Sequence, residues 1–238
     1  MSVLVRFVSI LLFVPSLAFA AASGYPLDAV EPDHGNLPSL QRGAALFAGY
    51  CMGCHGLQHQ RHIRTADDLG IPHDLYLENL VFDDDRIGSH IETSMPRDGS
   101  KNWFGAAPPD LSMVTRVRSP EWVYTYLRTF YVDPVRIFGV NNEVLANAGM
   151  PHALIELQGV PYKVCDGDAC SIEVEEGTGS MSPAEFDRAV YDIVNYLDYT
   201  GEPYKSDRQR IGIYVILFLI VLFVFTWLLG REYAKEVH

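Results

Sequence analysis

Cys51-Met52-Gly53-Cys54-His55 decides how this chain is to be read, because three of its five residues have separate chemical jobs. In a C-x-x-C-H element the two thiols add across the vinyl groups of a haem and hold the macrocycle covalently. The histidine, delivered by the same turn, is then placed to ligate the iron. A bare C-x-x-C also fits a thiol redox couple or half of a zinc site. Zinc needs a second ligand pair at similar spacing, and the remaining cysteines, Cys165 and Cys170, have four residues between them. The adjacent His55 favours haem, so one covalently attached haem c on Cys51, Cys54 and His55 is expected.

Working outward, Leu40, Ala44, Phe47 and Ala48 recur at helical spacing behind Ser39, a candidate N-cap, and predict a helix over 40–50 that runs into Cys51. Gly43 at mid-helix costs roughly 1 kcal/mol against alanine and is best explained by a second helix crossing closely. The stretch after Ser182 supplies one. Ser182-Pro183-Ala184-Glu185 is a capping box with proline in the first turn, Phe186, Val190, Ile193, Val194 and Leu197 keep one apolar face, and Gly201 marks the stop. A third helix is predicted over 119–130, carrying Trp122, Val123, Tyr126, Leu127 and Phe130. Residues 65–112, rich in Asp, Gly and Pro, are expected to be irregular. Helices joined by such segments are odd for a free-standing core and make sense if a large cofactor supplies much of it.

The two ends differ from the middle. Residues 1–20 have the charged, apolar and small-residue order of a secretory signal, with cleavage after residue 20 or 22. Residues 211–229 hold no charge over a length of about 28 Å at the helical rise, which predicts a transmembrane anchor. An exported domain over 23–204 and a cytoplasmic tail over 230–238 follow. Residues 23–204 contain 27 Asp and Glu against 12 Lys and Arg, a balance of -15, whereas the whole chain carries -12. Such a domain repels nucleic acid and suits a basic partner. Asp67-Asp68, Asp83-Asp84-Asp85 and Glu173 with Glu175-Glu176 are its local acidic clusters. In an exported loop, Cys165-Asp166-Gly167-Asp168-Ala169-Cys170 reads as a local disulfide around a turn.

An iron held by one imidazole needs a sixth ligand, and methionine suits electron transfer. Met52 lies inside the attachment loop, and Met181 beside the start of the C-terminal soluble helix. Met95 in Ser-Met-Pro and Met150 in Gly-Met-Pro both precede a proline that holds the backbone extended. Local context does not separate these two. His59, His62, His73, His90 and His152 read as ordinary surface or supporting histidines.

Gly-Ala-Ala-Leu-Phe before the attachment motif, Pro108-Pro109-Asp110-Leu111-Ser112, Gly149-Met150-Pro151 and a single C-terminal anchor together resemble the cytochrome c1 family, bacterial type, from about Leu40 to the C-terminus. Small soluble cytochromes c share only the first. The resemblance implies a mainly α, class I cytochrome c-like haem domain with long irregular insertions plus one C-terminal transmembrane helix. It implies Met150 as the axial ligand, with Met95 as the alternative, Pro108 and Pro109 packed near the haem, and Arg118 paired with a haem propionate in competition with Arg116. Trp122 falls where the family tends to place an aromatic near the haem edge. Gln60-Arg61-His62-Ile63 departs from the family's usual sequence after the motif, which leaves Arg61 without an assigned role. The implied function is electron transfer within a quinol:cytochrome c oxidoreductase. The haem subunit would take an electron from a Rieske iron-sulfur protein and pass it to a soluble cytochrome c or terminal oxidase, beside cytochrome b in the bacterial inner membrane with the haem domain in the periplasm. It would be the output subunit of an enzyme, not a catalyst alone. A stand-alone tethered shuttle is the main alternative, and a haem sensor or peroxidase the one from another class.

Overall fold

The computed structural model describes residues 24–236 apart from Asp83 and Asp168, so the expected signal segment and its cleavage site lie outside the described residues. The first element, α1 (Leu37–Tyr50), buries Ser39, Leu40, Gly43, Ala44, Phe47 and Ala48 along one face. It begins earlier than predicted because Asn36, not Ser39, is the cap: the Asn36 side chain accepts from the Ser39 amide at 3.2 Å. The Ser39 hydroxyl turns inward instead and donates to Asp192 Oδ1 at 2.5 Å.

Residues 57–104, largely expected to be irregular, hold five short elements: β1 (Leu57–Arg61), α2 (His62–Leu69), α3 (His73–Leu80), β2 (His90–Ile91) and α4 (Arg97–Phe104). The prediction fails here because each helix has eight residues, too few for its periodicity to register, and each is bounded by a residue that reads as a loop. Gly70 and Gly105 close α2 and α4 in the left-handed conformation, and Pro72 and Pro96 precede α3 and α4. Next come α5 (Val114–Val117) and α6 (Pro120–Arg128), the latter capped by the Ser119 hydroxyl on the Trp122 amide at 3.3 Å. The predicted helix over 119–130 stops short because Phe130 enters a ribbon made of β3 (Phe130–Val132) and β4 (Val140–Asn142). After α7 (Ile155–Gln158), β5 (Pro161–Asp166) and β6 (Ala169–Val174) pair antiparallel, with Cys165 opposite Cys170 and a disulfide between them.

The soluble part closes with α8 (Pro183–Gly201), in which the Glu185 carboxylate accepts from both the amide and the hydroxyl of Ser182. Val190, Ile193 and Val194 are fully buried on this helix, and α1, α5, α6 and α7 all pack against it. Its crossing with α1 needs Gly43: an added Cβ would collide with the carbonyl oxygen of Asp192 and lie 2.7 Å from Tyr196 Cβ. Beside that contact the buried Asp192 carboxylate takes Ser39 and the Arg42 guanidinium, whose Nε is 2.6 Å away. A buried charge at a helix crossing is tolerated because it is paired and hydrogen-bonded at both oxygens.

Three residues after α8, α9 (Lys205–Glu236) begins, a helix long and apolar enough to cross a membrane, with mean hydropathy 2.8 over its best window and no residue of that window buried. It contains the predicted 211–229 span and continues through Glu236, so the expected tail is, as far as it is described, more helix. The joint with the soluble domain is clamped. Glu202 meets both Arg116 and Arg208, Asp198 takes His34 at 2.8 Å and Lys205 at 2.7 Å, and Arg64 donates to the Tyr204 hydroxyl at 3.0 Å.

Because the atoms that a new methyl at position 43 would meet are main-chain and Cβ atoms that cannot swing aside, Gly43→Ala should destabilise the protein by about 1–3 kcal/mol despite alanine's better helix propensity. Denaturant unfolding of the detergent-solubilised protein measures this, and an unchanged midpoint would mean the crossing is looser than described.

Candidate haem-attachment site

The last turn of α1 carries over into the motif. Cys51 N donates to Phe47 O at 2.9 Å, and then Cys54 N and His55 N both donate to Cys51 O, at 3.0 and 2.8 Å. Positions i, i+3 and i+4 of a helical turn share a face, so Cys51, Cys54 and His55 point one way. Met52 is buried in the main core.

Burial pushes the Cys51 thiol up to about 12, with Cys54 adding to the effect, and burial raises Cys54 as well. Thiol redox couples need the opposite, a lowered thiol pKa. Both cysteines are free, and among the described residues no group of three or more His, Cys, Asp or Glu is arranged to hold a metal ion. The donor set therefore fits covalent haem attachment and does not fit a dithiol redox site or a zinc site.

His55 is buried, and its Nδ1 lies 2.7 Å from the Pro109 carbonyl. A carbonyl only accepts, so Nδ1 carries the proton and the lone pair is on Nε2, the tautomer an iron ligand requires. Burial also lowers the His55 pKa, against the Pro109 bond and Asp110, which favour the charged form. The Pro109 carbonyl is held in place by its neighbours. Leu111 N donates to Gly56 O at 2.9 Å, Asp110 accepts from the amides of Gln58 and Ser112, and the Ser112 hydroxyl accepts from His59 N. Residues 109–112 are thus laced onto the strand that leaves the motif.

A second wall is built on α6. Arg118, Trp122, Tyr126 and Phe130 follow at four-residue intervals. The Arg118 guanidinium lies 5.1 Å from the Trp122 ring centre, Trp122 stacks on Tyr126 at 4.9 Å and 10°, and Tyr126 meets the edge of Phe130 at 5.1 Å. His152 stacks on the far side of Phe130 at 5.0 Å and 4°, with Nε2 2.7 Å from Gln158 Oε1. Burial lowers the His152 pKa to about 4 against that bond, so the ring is neutral. Met150 is half-buried against the main core, with Sδ 3.6 Å from the Tyr126 hydroxyl. Burial raises that phenol to about 12.

Met95 sits elsewhere. Its amide donates to the Thr93 hydroxyl at 3.2 Å, and that hydroxyl donates to Gly53 O, so Met95 belongs to the segment laced onto the attachment turn. Of the two candidate arginines, Arg116 is 3.5 Å from Glu202, while Arg118 is exposed with no carboxylate partner among the described residues. In the sequence Tyr126 is one more apolar position on a helix and His152 an ordinary histidine. Only its place two residues after Met150 could have singled out His152. Tyr126 carries no sequence signal at all.

The family model described as Cytochrome C1 matches residues 84–237. That range begins after Cys51–His55, so the motif and the family match are independent observations. Among curated proteins the chain is 46% identical to the cytochrome c1 of Allochromatium vinosum over 237 residues, 96% of each chain. It is 38% identical to a protein named ammonia monooxygenase gamma subunit from Nitrosomonas europaea, again over 96% of each, and 27% identical to the cytochrome c1 of Rhodospirillum rubrum over 78% of this chain and 76% of that one. A family match over well over half of the chain, joined to a near end-to-end relative and to a turn suited to covalent haem, means that the chain belongs to the cytochrome c1 family.

Proposed function

We propose that this chain is the mono-haem subunit of a quinol:cytochrome c oxidoreductase, receiving single electrons from a Rieske iron-sulfur subunit and passing them to a soluble cytochrome c or a terminal oxidase. The observation that carries the reading is the His55 Nδ1 to Pro109 bond beside two free thiols on one face of a turn, the arrangement that covalent haem attachment needs. Bound through Cys51 and Cys54, haem c would supply a one-electron couple. The chain's own part would be to hold that couple in a fixed setting. The α9 helix would anchor the domain on the periplasmic side of the bacterial inner membrane beside cytochrome b. A relative from Bradyrhizobium diazoefficiens, named cytochrome b/c1, supports that neighbour: the chain matches 31% of its length at 25% identity.

Within the site, Met150 would supply the second protein ligand to the iron beside His55. Met95 shares the wall that already carries the attachment turn, whereas Met150 stands on the wall built from α6. Histidine and methionine together raise the potential relative to other axial sets, which suits an acceptor of electrons from quinol. Arg118, left without a carboxylate and held over Trp122, would be free to pair with a propionate, and the Pro109 carbonyl orients the His55 imidazole.

Three outcomes test this reading. Met150→Ala should abolish the weak sulfur-to-iron absorption band at the red end and lower the midpoint potential, while Met95→Ala leaves both in place; the reverse pattern would move the ligand to Met95. Thiol labelling of unreduced, denatured protein should find no reactive cysteine, since Cys51 and Cys54 are consumed as thioethers and Cys165–Cys170 is oxidised. Two labelled thiols would defeat one of those assignments, and haem staining of the denatured band would show which.

Electron transfer to a basic soluble cytochrome should slow steeply as ionic strength rises, because the screening length falls from about 10 Å at 0.1 M salt to about 3 Å at 1 M. In the acidic cluster at 83–85, Asp85 lies 3.7 Å from the His62 ring, so Asp84 is the better placed to act outward. A rate indifferent to salt with a demonstrably basic acceptor would reject electrostatic steering.

A further inference from the structure

Tyr126 is 8% exposed, covered on its face by Trp122 and on its side by Phe130. Among the described residues the one hydrogen-bond partner of its hydroxyl is Met150 Sδ, at 3.6 Å. A thioether is a weak acceptor, so this bond returns little of the free energy lost when the hydroxyl leaves water. Phenylalanine would fill nearly the same space without that cost. Packing explains the ring at position 126 and leaves its oxygen unexplained.

The backbone around Met150 is fixed without any help from that oxygen. Asn142 Nδ2 donates to Tyr126 O at 2.8 Å, while Asn142 Oδ1 accepts from the amides of Val144 and Leu145. Asn141 Oδ1 accepts from Asn147 N at 2.8 Å, and His152 is pinned by Phe130 and Gln158. The torsions of the Met150 side chain remain, and methionine is the most adaptable of the apolar side chains. The atom that matters for ligation is near its free end, and the Tyr126 hydroxyl is what meets it.

We propose that Tyr126 is a positioning residue for Met150. Its hydroxyl donates to one sulfur lone pair, which sets the thioether rotamer and leaves the other lone pair for the haem iron. The inference rests on the reading of Met150 as axial ligand. A sulfur that shares one lone pair with a donor is the poorer electron donor through the other, so the hydroxyl favours the reduced couple and raises the midpoint potential.

The test uses the full chain, haem attached, in detergent. Tyr126→Phe should keep the sulfur-to-iron band, displaced in wavelength, lower the midpoint potential, and leave the denaturant midpoint unchanged or raised. Site-specific replacement of Tyr126 by a ring-fluorinated tyrosine, a stronger donor on the same ring, should move the potential the opposite way, and it keeps the question answerable if the phenylalanine variant folds poorly. Loss of the band in a folded Tyr126→Phe protein, with the band kept in the fluorinated one, would equally support positioning. An unchanged potential and band in both would overturn the proposal. A band that survives Met150→Ala would instead overturn the ligand assignment beneath it, so the two failures are distinguishable.

Discussion

The contact between the His55 imidazole and the Pro109 carbonyl joins two parts of the chain that lie 54 residues apart, and it sets the chemical state of the ring as well as its direction. A ring with its proton on the other nitrogen would present no lone pair where an iron ligand must have one. The contact can form only because residues 109–112 are tied to the strand leaving the attachment turn through the Gly56 carbonyl, the Asp110 carboxylate and the Ser112 hydroxyl. A proline there is well suited, since it has no amide hydrogen to satisfy and its carbonyl is free to accept. The intervening residues, with their short helices and ribbons, bring that carbonyl into place.

The direction of the attachment turn depends in turn on α1, and α1 on its crossing with α8. Gly43 lets the two backbones approach, and Asp192 secures the approach by gathering Ser39 and Arg42. Side chains on α6, which also packs on α8, form the opposite wall, so both walls of the site are referred to the same central helix. A site that must accept and release electrons without rearranging benefits from such common support, because neither wall can drift relative to the other without disturbing the core.

How much of this could be read from residues alone depended on whether the signal was local. The attachment motif, the Ser182 capping box and the apolar C-terminal stretch each carry a local signal; the capping box is found as read, the motif forms a turn that continues α1, and the apolar stretch lies within one helix long enough to cross a membrane. Gly43 was legible too, because a glycine inside a good helical pattern asks for a reason. The short helices α2, α3 and α4 were not legible, since eight residues between glycines and prolines look the same as loop. Ser39 was misread as a cap because its true partner, Asp192, is 153 residues away. The links of Tyr126 and His152 to Met150 and Phe130 were invisible for the same reason: ring stacking and a hydroxyl meeting a thioether leave no pattern in the order of residues.

The joint at Glu202-Pro203-Tyr204 has a consequence for how the domain works. Three extended residues reach only about 10 Å, and here the Arg116–Glu202–Arg208, His34–Asp198–Lys205 and Arg64–Tyr204 contacts remove even that slack. A domain mounted this way is a fixed station and not a courier: it has no tether on which to swing between a donor and an acceptor. The travelling falls to whatever exchanges electrons with it, and the short joint keeps the place where those visitors must call close to the start of a helix long and apolar enough to cross a membrane.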